Sequence, residues 1–198
     1  MRLHAVRLAK IFEKTPTHQF MKNVDIWAAH MQAEFNTLDL DEVLRTMTST
    51  PYVNHVPTMT GGSGRSEVRD FYRDHFIGQW PTDTTIVPVS RTMDAERIVD
   101  EMIVTFTHDQ IIDSILPGVE PTFRRIEVPT VIIVTFDNGK VASEHIYWDQ
   151  ASVMVQAGLL DATFLPCAGI EVSLKLKNPA LPSNTLIPAR EHQEKRND

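Results

Sequence analysis

The spacing of apolar residues divides the chain into a helical first part and a β-rich second part. Between residues 23 and 38 the apolar positions follow helical spacing, at Val24, Trp27, Met31 and Phe35. Asp39 is the predicted N-cap of a second, short helix that runs through Met47. The β-rich run at residues 52–56 and the glycine turn at 61–64 then precede a third helix, for which Ser66 is the predicted N-cap.

From residue 84 onward the pattern changes to β-strands. Four segments alternate in the manner of strands, at residues 84–93, 97–108, 123–136 and 140–150. The connection at 109–122 is longer than the others, and we expect it to act as a rim or lid over a pocket. Helices followed by a long meander predict an α+β fold, and Phe106 and Phe123 are assigned to its core.

The two ends are expected to decorate a single domain. We divide the chain into an N-terminal helical extension at 1–19, a domain at 20–165 and a partly extended C-terminal segment at 166–198. Residues 1–14 carry an apolar stripe that favours a docked amphipathic helix. After residue 158, four apolar residues are expected to anchor the start of the tail, namely Leu159, Leu160, Phe164 and Leu165.

Composition excludes several classes of partner. The 198 residues carry a net charge of −7 without a basic stripe, which disfavours nucleic acids and anionic membranes as partners. No apolar run reaches the length of about 20 residues that spans a bilayer, and no secretory signal is evident, so we expect a soluble, cytoplasmic protein. Cys167 is the only cysteine, and the eight histidines lack ligand spacing, so neither a metal site nor a cofactor is predicted.

The last predicted strand holds the strongest candidates for catalysis. Alternation from Val141 places His145, Tyr147 and Asp149 on one face. An acid, an imidazole and a phenol facing one apolar pocket are suited to general acid-base catalysis. The alternative for Asp149 is an inert helix cap. His108, at the end of the second long strand, is a further catalytic candidate if neighbouring strands bring it close to Asp149.

Six other side chains are candidates for the wall of a ligand pocket. They are His55, Phe71, His75, Trp80, Glu101 and Trp148. For the aromatic residues the alternative is ordinary core packing. Glu101 lies in the middle of a strand, where a carboxylate needs a partner, and Arg124 or Arg125 on the next strand could make it purely structural.

The order of these elements and a short motif resemble a known family. Asp149 is followed seven positions later by Gln156 and then by Gly158, and His108, Pro121 and Arg124 or Arg125 precede them in order. This order resembles the SnoaL-like polyketide cyclase branch of the nuclear-transport-factor-2-like superfamily, over about residues 20–165. The resemblance implies a cone, in which a curved, mostly antiparallel sheet wraps around the helices and encloses one deep, largely apolar pocket.

The resemblance also implies an activity. Cyclases of this branch use an aspartate as acid-base without a metal or organic cofactor, and Asp149 is the matching position. We therefore expect a cyclase, isomerase or lyase that acts on an apolar carbonyl or polyketide-like compound. The alternatives are a non-catalytic module that binds a small molecule or dimerises, and a lactone hydrolase in which the aspartate activates water. A homodimer is expected in either case, through a sheet face that includes Val131, Ile133 and Thr135 or through the opposite one.

Overall fold

Helices occupy the N-terminal part of the fold, as the sequence predicts. The computed structural model describes residues 18–188, so the predicted N-terminal amphipathic helix at 1–14 lies outside the described residues. Helix α1 (His18–Gln32) continues into a π-helical turn (Ala33–Thr37), and α2 (Leu40–Thr46) follows. Asp39 caps α2 by accepting a hydrogen bond from the Glu42 amide at 3.0 Å, which confirms its predicted role.

Six strands form one curved, open sheet. They are β1 (Met47–His55), β2 (Thr60–Ser63), β3 (Thr85–Met93), β4 (Arg97–Thr107), β5 (Arg125–Asp137) and β6 (Lys140–Trp148). Their order across the sheet is β2-β1-β6-β5-β4-β3. All neighbouring pairs are antiparallel except β1 and β6, which are parallel. The predicted α+β cone of the nuclear-transport-factor-2 type is therefore confirmed.

Helix α3 begins two residues before its predicted start. It runs from Gly64 to His75 and follows β2, which the sequence analysis treated as a glycine turn. Ser63, not Ser66, occupies the N-cap position, and its backbone amide binds the carboxylate of Glu67 at 2.9 Å. Gly61 and Gly62 pair with β1. Both positions require glycine, because a Cβ would collide with the backbone of β1 at Gly61 and with the backbone of α3 at Gly62.

The core lies between the inner face of the sheet and helices α1 to α3. Phe106 is fully buried there, as predicted, whereas Phe123 is 73% exposed in the loop before β5. Phe123 has a positive φ of 57° in that loop, so its side chain projects away from the strand face on which it was expected. The expected anchoring of the tail is wrong for three of its four residues, since Leu159 and Leu165 are exposed and Phe164 is 95% exposed, whereas Leu160 is half-buried.

Two further helices pack against β5 after the sheet is complete. Helix α4 (Gln150–Gln156) follows β6 directly, and α5 (Glu171–Lys177) was not predicted from the sequence. Gln156 fastens α4 to the strand, since its side chain both donates to and accepts from the backbone of Glu127 at 2.9 Å. Ser173 of α5 donates to the same carbonyl at 3.0 Å. None of the helices within residues 18–188 has the length and apolarity that crossing a membrane requires.

Candidate active site

An apolar cavity lies between the helices and the inner face of the sheet. We call it the inner cavity. Its volume is about 50 Å³. Most of its wall is apolar, with aromatic side chains from α1, the π-helical turn, α3 and β6. The polar side chains that line it are Glu34, His55, Tyr72, Thr130 and Glu144, with the indoles of Trp27, Trp80 and Trp148.

Four buried polar side chains meet at one end of this cavity, and we call them the carboxylate cluster: His30, Glu34, Tyr72 and Glu144. His30 lies in α1 and Glu34 lies four residues later in the π-helical turn, whereas Tyr72 comes from α3 and Glu144 comes from β6. Nε2 of His30 is 3.1 Å from Oε1 of Glu34 and 3.1 Å from Oε1 of Glu144. The Tyr72 hydroxyl donates to Oε1 of Glu34 at 2.6 Å. The cluster therefore places two carboxylates around one imidazole.

The hydrogen bonds of His30 define its protonation. The Thr46 hydroxyl donates to the carbonyl of Val43 at 2.6 Å, so it must accept from Nδ1 of His30, also at 2.6 Å. Nε2 then faces the two carboxylates. Burial alone lowers the pKa of His30, but the charges and hydrogen bonds of Glu144 and Glu34 outweigh it and raise the pKa to about 10. His30 is therefore an imidazolium at neutral pH.

Glu144 is the acid of the cluster whose pKa is raised by its surroundings. Desolvation raises its pKa, the charge of His30 opposes this, and the nearby carboxylate of Glu34 adds to the rise. Although it lies close to His30, its Oε1 makes no hydrogen bond of normal geometry with any described residue. Since a carboxylate oxygen has two lone pairs, this oxygen can accept from a molecule in the inner cavity in addition to its ion pair with His30. Burial also raises the pKa of Tyr72 well above its usual value, so Tyr72 stays a neutral donor.

His55 lines the same cavity but, unlike His30, its ring is uncharged. Burial lowers its pKa to about 4. Its Nδ1 lies 3.4 Å from the carbonyl oxygen of Thr60, which can only accept, so the ring proton is on Nδ1. Phe71, Phe76 and Trp148 surround the ring at centroid distances of 5.4 to 6.0 Å. His55 is therefore a neutral imidazole at pH 7.

The face of β6 predicted to line the pocket is the wrong one. Glu144, Ile146 and Trp148 line the inner cavity, so His145 and Tyr147 lie on the outer face, where Tyr147 is 41% exposed. The cause is a register shift between β5 and β6: Thr135 pairs with Ser143, but Phe136 pairs with Val141. The additional residue, Ala142, reverses the alternation after Val141.

Asp149 and His108 also lie away from the inner cavity. Asp149 is the N-cap of α4 and accepts a hydrogen bond from the Ser152 amide at 3.0 Å, which is the alternative that the sequence analysis left open. His108 is fully buried. The Thr122 amide donates to its Nδ1 at 3.3 Å, which orients the ring toward the loop before β5. The structure therefore does not bring the four predicted catalytic residues together.

Three of the six predicted pocket residues line the inner cavity, namely His55, Trp80 and Trp148. Phe71 packs behind His55 without lining the cavity. His75 is exposed and lies 2.9 Å from Asp113. Glu101 accepts a hydrogen bond from Ser90 at 2.9 Å, so its partner is neither of the arginines expected from β5.

The carboxylate cluster was not predicted from the sequence. One signal was present, because a histidine and a glutamate four residues apart on a predicted helix lie on the same helix face. Glu144 was overlooked because the expected alternation placed it on the outer face.

His30, Glu34 and Glu144 are the described residues best placed to hold a cation. Their ligand atoms lie within 4.8 Å of one another, and all three side chains are buried. In the structure the imidazolium of His30 supplies the positive charge between the two carboxylates. This single positive charge offsets one of the two carboxylate charges.

Comparison with known proteins gives a consistent family and fold. The family model for a SnoaL-like domain matches residues 27–144, which is more than half of the chain. No curated protein sequence matches the chain. The match ends at Glu144, so it includes strands β1 to β5, the first half of β6, helices α2 and α3 and the end of α1. It contains all members of the carboxylate cluster and stops before Asp149.

Solved structures share the fold at low sequence identity. A candidate SnoaL-like polyketide cyclase from Jannaschia sp. CCS1 has a TM-score of 0.58 and 18% identity, and the alignment covers 76% of this chain and 99% of that one. SalBIII, an epoxide hydrolase/cyclase-like enzyme of pyran ring formation in salinomycin, has a TM-score of 0.50 and 17% identity, with 65% and 92% covered. A hypothetical protein of ketosteroid isomerase-like fold from Catenulispora acidiphila DSM 44928, in complex with trimethylamine, gives 0.51 and 13%, with 69% and 94% covered.

Proposed function

Because the chain belongs to the SnoaL-like domain family, we propose that it is an enzyme that transfers protons on an apolar carbonyl or polyketide-like compound, as a cyclase, isomerase or lyase. The chemistry needs no cofactor, since side chains in the inner cavity supply both the base and the hydrogen-bond donor. The observation that carries the proposal is Glu144, a buried carboxyl group with a raised pKa that lines the inner cavity and is ion-paired with His30 at 3.1 Å.

Glu144 is the proton carrier in this proposal. Its carboxylate takes a proton from the carbon next to the substrate carbonyl, the C–H bond breaks, and the electron pair moves onto the carbonyl oxygen as an enolate. The carboxyl group then returns a proton to carbon as the enolate becomes the carbonyl group again. In deuterated buffer the carboxyl proton exchanges with solvent before this return, so the carbon receives deuterium. A raised pKa suits this role, because a general base works best when its pKa lies near the operating pH.

Tyr72 and His30 support the charge that this step moves. The Tyr72 hydroxyl lines the inner cavity and keeps its proton, so it can turn from Glu34 to donate to the enolate oxygen. His30 remains between the two carboxylates and offsets their charge in both states of Glu144. The names of the Jannaschia protein and of SalBIII, which refer to cyclases, support a reaction of this class.

Hydrogen–deuterium exchange in small ketones tests the proposal. Acetone and cyclopentanone are incubated with the protein in deuterated buffer, and loss of the α-proton signal is followed by NMR. Glu144→Gln removes the titratable group at nearly constant size, and we expect exchange to fall by about a hundredfold or more. Asp149→Asn is the matched control, since it makes the same chemical change at an exposed helix cap, and we expect it to keep the wild-type rate.

The opposite pattern would overturn the assignment. If exchange survived in Glu144→Gln and disappeared in Asp149→Asn, the acid-base group would be the helix cap. If the wild-type protein bound ketones without exchange, the chain would be a ligand-binding module instead. Circular dichroism and thermal unfolding of both variants establish that any lost exchange does not come from lost folding.

We also propose that the chain forms a homodimer through the outer face of its sheet. Val131 and Ile133 of β5 are half-buried on this face, and Tyr147 of β6 lies opposite Val131 in the register. Apolar side chains on an open sheet face are suited to self-association. Sedimentation equilibrium of the wild-type protein and of Val131→Lys tests this, since a charge in the interface should shift the protein to monomer.

A further inference from the structure

A second, larger concavity adjoins the inner cavity, and we call it the outer pocket. Its volume is about 630 Å³. The residues that line it come from α1, the π-helical turn, the segment after α3 and the start of β3. They are Ala28, Met31, Gln32, Phe35, Asn36, Leu38, Gly78, Trp80, Pro81, Thr82, Thr84, Ile86 and Gln110. None of these lining side chains is ionisable.

The two spaces share one wall. Met31, Phe35, Trp80 and Ile86 line both the inner cavity and the outer pocket. Phe35 and Trp80 contact each other at a ring-centroid distance of 5.6 Å. Phe35 belongs to the π-helical turn, an irregularity that is frequent at functional sites.

The inner cavity is too small for most carbonyl compounds. A volume of about 50 Å³ is well below the roughly 150 Å³ of a cavity that takes benzene. A ligand that places its carbonyl group beside Glu144 must therefore continue past the shared wall. The outer pocket is the space on the other side of that wall.

Polar atoms without partners lie along this route. Nε1 of Trp80 and Oγ1 of Thr84 are buried, and neither forms a hydrogen bond with any residue that the structure describes. Since a buried polar atom without a partner is costly, these two atoms indicate where a ligand or water would bind. The side-chain NH2 of Asn36 donates to the side-chain oxygen of Gln32 at 2.8 Å. The NH2 of Gln32 and the side-chain oxygen of Asn36 take no part in this bond and can bind a ligand in the outer pocket.

We propose that the outer pocket binds the uncharged, hydrogen-bonding part of the substrate whose carbonyl end enters the inner cavity. This inference rests on the proposed proton transfer only for the position of the carbonyl end. The substrate class is an elongated, neutral molecule with an apolar carbonyl-bearing end and a chain that carries amide or hydroxyl groups. Trp80 and Thr84 bind the polar group nearest the shared wall.

The charges in and near the outer pocket disfavour the binding of anionic substrates. Among the side chains that the structure describes, the lining of the outer pocket offers no lysine, arginine or histidine to pair with a carboxylate or phosphate. Glu34 and Glu144 lie just beyond the shared wall in the inner cavity. An anion in the outer pocket would lose hydration without gaining a partner and would approach two acidic side chains.

A matched pair of ketones tests this selectivity. In 7-oxooctanamide and 7-oxooctanoate the ketone and the chain are the same, and the far end is either a neutral amide or a carboxylate. We expect the amide to bind at least about tenfold more tightly by calorimetry at pH 7.5, because the carboxylate must be desolvated without a partner. The indole ¹⁵N–H signal of Trp80 should shift with the amide.

Two variants and a control locate the binding. Trp80→Phe removes the indole N–H and should weaken the amide about fivefold, as expected for one hydrogen bond. Gln110→Lys places a cation in the lining of the outer pocket and should tighten the carboxylate about tenfold, which reduces or removes the preference for the amide. Tyr52→Phe changes an exposed aromatic residue of β1 and should leave both affinities unchanged.

Three results would overturn the outer pocket as a subsite. They are equal affinities for the two ketones, unchanged amide binding in Trp80→Phe, and failure of both ketones to bind. Calorimetry does not depend on turnover, so the two proposals fail separately. Selective amide binding without exchange would keep the subsite and refute the proton transfer. Exchange of acetone together with unselective binding would do the reverse.

Discussion

The folded protein should become less stable as the pH rises above neutral, because His30 then loses its proton. The two carboxylates around its ring raise its pKa from the ordinary 6.5 to about 10 in the folded state, against the effect of burial. The folded protein therefore holds this proton more tightly than the unfolded chain does. The resulting stabilisation is fully present below pH 6.5 and is lost as the pH rises through about 10.

The size of the effect follows from the shift. A change of about 3.5 pKa units, at about 1.4 kcal/mol per unit, corresponds to about 5 kcal/mol of unfolding free energy between pH 6.5 and pH 10. That is a large share of the stability of about 5–15 kcal/mol that is typical of a domain. With a urea m-value of about 2.5 kcal/mol/M, the unfolding midpoint should fall by about 2 M urea.

Urea unfolding followed by circular dichroism at pH 6.5, 8 and 10 measures this slope. The control is the double variant His30→Gln/Glu144→Gln, because Glu144 alone would keep a raised pKa and could titrate in the same range. Lysines and tyrosines titrate in both proteins, so the difference between the two slopes isolates the cluster. If the wild-type protein and the double variant lost stability in parallel, His30 would not be a buried imidazolium.

Three other predictions concern His55, Asp149 and Gly61. His55 has a pKa of about 4 in the folded protein, so its ¹⁵N chemical shifts at pH 5.5 should be those of a neutral imidazole, and imidazolium shifts would contradict this. The stability contributed by the neutral ring should be complete above pH 6.5 and should be lost as the pH falls toward 4. Asp149→Ala should lower the unfolding free energy by about 1 kcal/mol through loss of the α4 cap without affecting ketone exchange, and a loss of exchange alone would contradict the capping role. Gly61→Ala should cost at least about 3 kcal/mol, because its φ is +136° and the new Cβ would lie 2.0 Å from the Val53 carbonyl oxygen. Gly118→Ala, with φ of +69° and open space around it, should cost only about 1 kcal/mol, and equal losses in chemical denaturation would refute the steric argument.

The architecture followed from the sequence because local signals and global fold agree. The helical spacing of Trp27, Met31 and Phe35, the cap at Asp39 and the β-rich segments from residue 84 all correspond to observed elements. The long loop at 109–122 contributes Ile115 to the wall of the inner cavity. Elements of this kind depend on residues that are close in sequence.

The active site depended on two features that are not local. A single extra residue at Ala142 reverses the orientation of every later side chain in β6, and strict alternation from Val141 cannot anticipate it. The carboxylate cluster joins α1, α3 and β6, so its charges become visible only when three distant segments are assembled. The predicted helix cap of Asp149, by contrast, is local, and it was the alternative that sequence reasoning alone preferred.

The position of β6 determines when during synthesis the site can exist. In the sheet, β6 lies between β1 and β5. It pairs in parallel with β1, which is the first strand within the described residues. Until it docks, β1 has only the short β2 beside it, and β5 presents a free edge. The first two-thirds of the chain therefore leave the ribosome without a finished sheet. Glu144, whose charge raises the pKa of His30 the most, reaches the cluster only when β6 docks, so tight binding of the His30 proton should report docking of this strand.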